Sequence, residues 1–202
     1  MESLYAIILI NFVIFIGVKI AGGQALDILA LAPYEAWTHP WQFLTSMFTH
    51  ASFMHILFNM WALYFFGSSI LQILGAKRFW LVYLAGGLAG GLAFVGLAYL
   101  GDATGMNWLG RSYSAAIGAS GAIFALGGAL AVLRPNLRVV FFPIPAPMPL
   151  WIAIIGSFTI FTLLSIFTGM GVAWQAHLGG LAFGALAGWF YKRRSFNRYR
   201  WN

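Results

Sequence analysis

Residues 176–191 read AHLGGLAFGALAGWFY, an apolar run without a charged residue and with His177 in its first turn. Gly180, Gly184 and Gly188 recur at four-residue intervals, so they share one face of a helix. Small residues at this spacing let membrane helices approach to backbone contact. The run therefore predicts a membrane helix whose glycine face packs closely against a second helix.

A matching small-residue face lies in residues 118–133, which contain Gly121, Ala125, Gly128 and Ala129. Packing of the two faces would carry Ser120 toward His177. Gly118 and Gly121, on either side of Ser120, leave room for a substrate backbone. Glycine stripes occur in many membrane bundles, so helix packing without catalysis is the alternative interpretation.

The composition of the whole chain is that of an integral membrane protein. Of 202 residues, 61% are hydrophobic and only 7% are charged, whereas soluble domains carry about 25% charged residues. The absence of cysteine excludes disulfide bonds, thiolate catalysis and cysteine-ligated zinc. We therefore expect an all-α integral membrane protein.

Six segments are candidate membrane helices that form one domain over residues 1–202. They cover residues 4–20, 53–74, 79–100, 118–133, 150–167 and 176–191. The first is interpreted as a retained span and not a signal peptide, because the chain starts MESLY, without Lys or Arg. The fourth and sixth are short, about 24 Å of helix each, so their outer ends are expected to lie below the membrane surface.

The positive charges indicate the orientation of the six-helix bundle, because Lys and Arg accumulate in cytoplasmic loops. An arrangement with both termini inside, N-in and C-in, puts nine of the eleven cations in inner segments: Lys77, Arg78, Arg134, Arg138, Lys192, Arg193, Arg194, Arg198 and Arg200. The basic tail 192–202 is then a stop signal facing the anionic inner leaflet of the lipid bilayer. Nucleic-acid binding is disfavoured on this pattern.

Polar side chains in membrane helices are costly and are commonly functional. Four of them stand near the outer ends of three predicted helices: His55, Asn59, Ser120 and His177. A serine hydroxyl needs an adjacent base to become a nucleophile, and neutral imidazole suits that task. Because no acid lies beside His177 in any span, these residues predict a Ser120/His177 dyad, with no metal and no cofactor. Phe124, one turn below Ser120, is a platform for the imidazole ring.

A tetrahedral intermediate also needs hydrogen-bond donors for its oxyanion. His55 and Asn59 share one helix face at i, i+4 and are candidates together with the backbone N–H of Ser120. Singly, Ser120 can be a packing residue, His177 an interfacial histidine, and His55 with Asn59 an interhelical hydrogen-bonded pair. His50 is expected to be a hydrogen-bonding or interfacial residue, with metal ligation the less favoured alternative. The common depth of the four polar residues favours catalysis.

At these residues the sequence resembles the rhomboid family of intramembrane serine proteases. The matching stretches are HASFMHILFN (50–59), GASG (118–121) and AHLGGLAFG (176–184), in the family's order on the second, fourth and sixth spans. The resemblance covers nearly the whole chain and implies a six-transmembrane-helix rhomboid-like bundle in its minimal form, without a soluble extension. It implies Ser120 as nucleophile, His177 as general base and acid, and His55 and Asn59 at the oxyanion hole. It also implies that Trp41 belongs to a lateral first loop and that single-span membrane proteins are cut within or near their spans.

Three positions depart from the pattern that the resemblance implies. Phe124 stands where family members often have Tyr, Gln42 where the loop often has Arg, and Leu71 where an acid is often seen. These changes are expected to affect loop anchoring and stability more than the chemistry.

Rival functions can be checked in the sequence. A zinc metalloprotease would need an HExxH motif, which is absent, and neither Asp27 nor Asp102 lies in a span to serve an aspartyl protease. A channel or transporter is disfavoured, because no inverted repeat is evident. The alternative kept open is an inactive rhomboid-like protein that binds membrane clients. For the active form we expect transmembrane protein substrates, an undetermined oligomeric state, and a bacterial or archaeal cell (inner) membrane with the active site opening outward.

Overall fold

The computed structural model describes residues 1–141, 144–168 and 171–199, and its long elements are helices. The α-helices are α1 (Glu2–Ala21), α2 (Gly23–Leu29), α3 (Gln42–Thr45), α4 (Phe53–Leu74), α5 (Ala76–Thr104), α6 (Ser120–Leu133), α7 (Leu150–Thr168) and α8 (Trp174–Tyr199). Short 3-10 helices cover Pro33–Glu35, Ser46–Phe48 and Asn107–Leu109. Gly75 separates α4 from α5 with φ +79°, a backbone conformation that side chains with a Cβ rarely adopt.

Each of the six predicted segments overlaps a helix, and the second matches its helix residue for residue. Within the described residues, four helices are long and apolar enough to cross a membrane: Glu2–Ala21, Phe53–Leu74, Ala76–Thr104 and Leu150–Thr168. The remaining two, α6 and α8, are the helices that the sequence predicts to be short. The fold is therefore a mostly helical multi-pass membrane bundle, and the six crossings and their orientation stay predictions.

The two helices predicted to be short differ in outcome. The helix α6 has 14 residues, about 21 Å at 1.5 Å per residue, and is even shorter than expected. The prediction for the sixth helix was wrong in length, because α8 has 26 residues. It continues through the first part of the basic tail 192–202, whose residues up to 199 are helical, while 200–202 lie outside the described residues. Lysine and arginine have good helix propensity, so the change from apolar to basic sequence does not end the helix.

A β-hairpin between α6 and α7 corrects the all-α prediction. The strands β1 (Arg138–Phe141) and β2 (Ile144–Pro149) pair antiparallel, with Arg138 opposite Pro149. Proline has no N–H to donate and disrupts helix interiors, so the proline-rich segment of β2 cannot continue a helix. The hairpin was missed because β1 has only four residues and β2 is interrupted by proline.

The helix α6 lies at the centre of the bundle and packs against α8, α5 and α4. Leu126 and Leu130 of α6 are fully buried together with Leu63 of α4 and Tyr83 of α5. The close contacts between α6 and α8 follow the same order along both helices, so these two helices run parallel; the same holds for α4 and α6. The first turns of α4, α6 and α8 therefore lie at one end of the bundle, and the ends of α4 and α6 lie at the other.

Candidate active site

Ser120 is the first residue of α6 and follows a loop that is held by backbone hydrogen bonds to the α1–α4 connection. Leu31 and Ala116 exchange a pair of backbone bonds, both 2.9 Å long. The N–H of Gly118 donates to the carbonyl oxygen of Ser46 at 2.8 Å. Two separate parts of the α1–α4 connection therefore hold the loop that leads to Ser120.

Gly118 occupies a position that only glycine fits. Its φ is +117°, and a Cβ there would stand 2.7 Å from Nε2 of His55 and 3.9 Å from Oγ of Ser120. Both the backbone conformation and the space exclude a larger residue. The predicted motif glycine thus brings the His55 ring close to the turn that precedes Ser120.

His177 lies in the first turn of α8, which is anchored to the loop after α5. The indole N–H of Trp174 donates to the carbonyl oxygen of Trp108 at 3.3 Å, and the two indole rings stack at 6.0 Å. The amide Nε2 of Gln175 donates to the carbonyl oxygen of Leu109 at 2.9 Å. Sequence analysis missed this anchor, because residues 66 positions apart make it and no local pattern indicates it.

Ser120 and His177 are in hydrogen-bond contact, with 2.7 Å between Oγ and Nε2. His177 is buried, with 6% of its surface exposed, and its ring stacks on Phe124 with 4.5 Å between centroids and 25° between planes. Nδ1 of His177 has no hydrogen-bond partner among the described residues. Among the described residues, the contact that this ring makes beside Ser120 is therefore the aromatic face of Phe124.

Backbone contact between α6 and α8 holds the two residues together. A Cβ on Gly180 would overlap the carbonyl oxygen of Gly121, and one on Gly184 would overlap that of Ala125. Glycine is required at both positions, because the clashing atoms belong to backbone and cannot rotate away. These contacts lie on the helix face that carries the four-residue spacing.

His55 and Asn59 lie on the first two turns of α4, which begins at a cap formed by Ser52. Its hydroxyl accepts a hydrogen bond from the N–H of His55 at 3.2 Å. The Nδ2 of Asn59 donates to the carbonyl oxygen of His55 at 2.8 Å, whereas its Oδ1 has no partner among the described residues. His55 reaches the Gly118 turn, and Asn59 is buried one turn farther along α4.

His50 is fully buried beside this group. Its Nε2 accepts a hydrogen bond from the N–H of Ala119 at 3.4 Å, and its ring lies edge-on to that of His55 at 5.0 Å. The hydrogen-bonding role expected for His50 is therefore confirmed, and the bond is to the residue preceding Ser120. Across residues 1–141, 144–168 and 171–199, no three His, Asp, Glu or Cys side chains are grouped to hold a metal ion.

The buried side chain of Gln42 links separate parts of the α1–α4 connection. It is 1% exposed, its Oε1 accepts from the N–H of Ala32 at 3.1 Å, and its Nε2 donates to Glu35 Oε1 at 2.9 Å. A neutral amide therefore anchors the loop at the position where the resemblance leads one to expect arginine. The nearby indole N–H of Trp41 donates to the carbonyl oxygen of Ile28 at 3.2 Å.

Comparison with known proteins gives consistent matches. The family profile described as Rhomboid domain matches residues 38–194. The chain is 32% identical over 153 residues to Rhomboid protein 1, mitochondrial, of Saccharomyces cerevisiae, which covers 73% of this chain and 41% of the yeast protein. It is 31% identical over 152 residues to Rhomboid protease GluP of Bacillus subtilis, covering 73% of this chain and 25% of that protein. Putative rhomboid protease YdcA of the same bacterium is 28% identical over 159 residues, covering 79% of this chain and 71% of YdcA. The chain thus spans less than half the length of the first two relatives.

Proposed function

The chain belongs to the rhomboid family of membrane proteins, and from this we propose that it is an intramembrane serine endopeptidase. The observation that carries the proposal is the 2.7 Å contact between Nε2 of buried His177 and Oγ of Ser120. Two relatives, GluP and YdcA, are named as a protease and a putative protease. A protein that only bound membrane clients would not need this pairing of a nucleophile with a base.

In the proposed reaction Ser120 Oγ attacks the scissile carbonyl carbon while Nε2 of His177 takes the hydroxyl proton. The tetrahedral intermediate then collapses, the C–N bond breaks, and the imidazolium gives its proton to the leaving amine. Water attacks the resulting ester on Ser120 with the same imidazole as base, which releases the second product. Stacking on Phe124 keeps the ring in the plane that presents Nε2 to the serine.

We assign oxyanion stabilisation to three groups around the start of α6. Ser120 is the first residue of this helix, so its N–H has no partner within the helix and lies at the positive end of the helix dipole. Nε2 of His55 faces the adjacent Gly118 turn. Asn59 Nδ2 donates one hydrogen to its own helix and retains a second for an oxyanion.

The proposed topology is one domain of six spans, formed by α1 and α4–α8, with both termini on the inner side and Ser120 opening outward. Its support is the charge bias: Lys77, Arg78 and Arg134 follow the ends of α4 and α6, opposite the serine. The non-helical backbone that leads into α6 then lies below the outer membrane surface. It is enclosed by protein, and irregular backbone is tolerated at membrane depth in that setting.

The proposed substrates are single-span membrane proteins, cleaved within or near their spans after local unwinding of the helix. A peptide bond inside a helix is shielded, so unwinding exposes the carbonyl to Ser120. The partners are these substrates and the lipid bilayer, without a cofactor or nucleic acid. The relatives include proteins named as mitochondrial and proteins from a bacterium, so they give no preference to a bacterial or archaeal cell membrane.

The test is cleavage of a fluorescently labelled single-span protein by the purified chain in proteoliposomes. We expect cleavage that is insensitive to chelators and is abolished by Ser120→Ala and by His177→Ala. The matched control is Ser157→Ala, which removes a hydroxyl that, among the described residues, donates to the carbonyl oxygen of Ile154. Undiminished cleavage by Ser120→Ala would remove the proposed mechanism, and no cleavage by the parent chain would favour client binding.

A further inference from the structure

The end of the bundle opposite Ser120 carries a concentration of positive charge. Cationic residues follow the ends of α4 and α6 and occupy the last part of α8: Lys77, Arg78, Arg134, Arg138, Lys192, Arg193 and Arg194. Of the four acids in the chain, only Glu2, at the start of α1, belongs to this end. A surface of this kind attracts anions from its surroundings.

The side chain of Arg134 lacks the carbonyl contacts that two other cations of this end make. Lys192 donates to the carbonyl oxygen of Val132 at 3.0 Å, and Arg138 donates to that of Pro147 at 3.1 Å. The guanidinium of Arg134 makes no hydrogen bond or ion pair with the residues that the structure describes, and it is exposed. Its five N–H donors are therefore open to a ligand.

Arg134 also lines a cleft between the ends of α4 and α6. Its polar lining is Ser69, Gln72, Arg134 and Asn136, and its apolar lining includes Ile73 and Leu133. The hydroxyl of Ser69 already donates to the carbonyl oxygen of Phe65 at 3.2 Å, so the donors available to an anion are Arg134 and the two amides.

We propose that this cleft binds the head group of an anionic phospholipid. A guanidinium flanked by two amides matches the oxygens of a phosphodiester, to which arginine binds bidentately. The apolar side chains beside them suit the start of an acyl chain. The net positive charge of the surrounding surface favours a head group with net negative charge, and basic pockets between membrane helices bind such lipids.

The experiment measures lipid binding and is independent of the proposed catalysis. The purified chain in detergent is titrated with phosphatidylglycerol and with phosphatidylcholine of the same acyl chains, and bound lipid is counted by native mass spectrometry. We expect Arg134→Gln to weaken phosphatidylglycerol binding about five- to tenfold. Arg138→Gln removes the same charge from the same end but lies outside the cleft lining, so it is expected to weaken binding clearly less than Arg134→Gln.

A second variant and a soluble probe complete the test. Gln72→Leu removes one amide donor without changing the charge, so it is expected to weaken phosphatidylglycerol binding as well. Circular dichroism of each variant verifies folding. Equal losses in Arg134→Gln and Arg138→Gln would show general charge attraction and overturn the proposal. Inorganic phosphate that competes as well as the lipid would also overturn it, because the site would then recognise a free phosphate. A loss of stability in Arg134→Gln with unchanged lipid binding would assign Arg134 to capping α6 alone.

Discussion

Replacing Gly184 with alanine is expected to push α8 away from α6 and to lower the stability of the protein. The added Cβ would overlap the carbonyl oxygen of Ala125, a backbone atom of a buried helix that cannot rotate away. At Gly188 the added Cβ would stand 2.7 Å from the carbonyl oxygen of Ala129, whereas ordinary contact begins at 3.4 Å, so this helix pair needs a smaller shift. A Cβ at Gly96 would meet no described atom within 4 Å apart from the nearby backbone of its own helix, which makes Gly96 the matched control.

The magnitudes follow from two opposing contributions to the free energy of unfolding. Overpacking a close contact costs about 1–3 kcal/mol, and alanine returns up to about 1 kcal/mol of helix propensity over glycine. We therefore expect a net loss of about 2 kcal/mol for Gly184→Ala and about 1 kcal/mol for Gly188→Ala. Gly96→Ala is expected to be neutral or to gain up to about 1 kcal/mol.

The assay is reversible unfolding in mixed micelles with a denaturing detergent, followed by far-ultraviolet circular dichroism. The expected order of stability places Gly96→Ala at or above the parent, then Gly188→Ala, then Gly184→Ala. Equal stability of Gly184→Ala and Gly96→Ala would refute the backbone contact between α6 and α8. The result does not depend on catalysis, so it tests the packing that brings Ser120 to His177 by itself.

Three further substitutions test individual contacts. Asn59→Ala is expected to lower kcat about 100-fold, as loss of an oxyanion donor does, with a circular dichroism spectrum like that of the parent; parental turnover would argue against an oxyanion role. Gln175→Ala removes the bond to Leu109 and is expected to reduce kcat more than KM, because the first turn of α8 loses its anchor. Gln175→Glu keeps an acceptor but has no amide donor, so it should fail to restore kcat. Full activity of either variant would contradict the anchoring role. Gln42→Ala leaves buried polar groups of the α1–α4 connection unpaired and is expected to cost about 1–3 kcal/mol of stability, measured by thermal unfolding. An unchanged unfolding midpoint would mean that the amide does not anchor the loop.

The sequence predicts the parts of the fold that depend on local patterns. The apolar run at 53–74 and the small-residue spacing of Gly180 and Gly184 each have a direct structural counterpart in α4 and in the α6–α8 contact. Four-residue spacing specifies a helix face, and glycine at that face specifies a close approach. The contact between Ser120 and His177 follows from the same two facts.

The parts that were missed depend on contacts between distant segments or on context. Trp174 and Gln175 resemble ordinary interfacial residues in the sequence, and their role follows only from where the loop after α5 lies. The N–H of Gly118 bonds to Ser46, which no motif links to it. The continuation of α8 into the basic tail was missed because hydropathy marks the end of an apolar segment and not the end of a helix.

The most direct measurement of the central claim is covalent trapping of the nucleophile. The purified chain is treated with a fluorophosphonate, which reacts with activated serines, and the modified peptide is identified by mass spectrometry. The account predicts a single adduct on Ser120, its loss in Ser120→Ala, and a strongly reduced rate of labelling in folded His177→Ala. Parental labelling of Ser120 in folded His177→Ala, or an adduct on another serine that persists in Ser120→Ala, would contradict it.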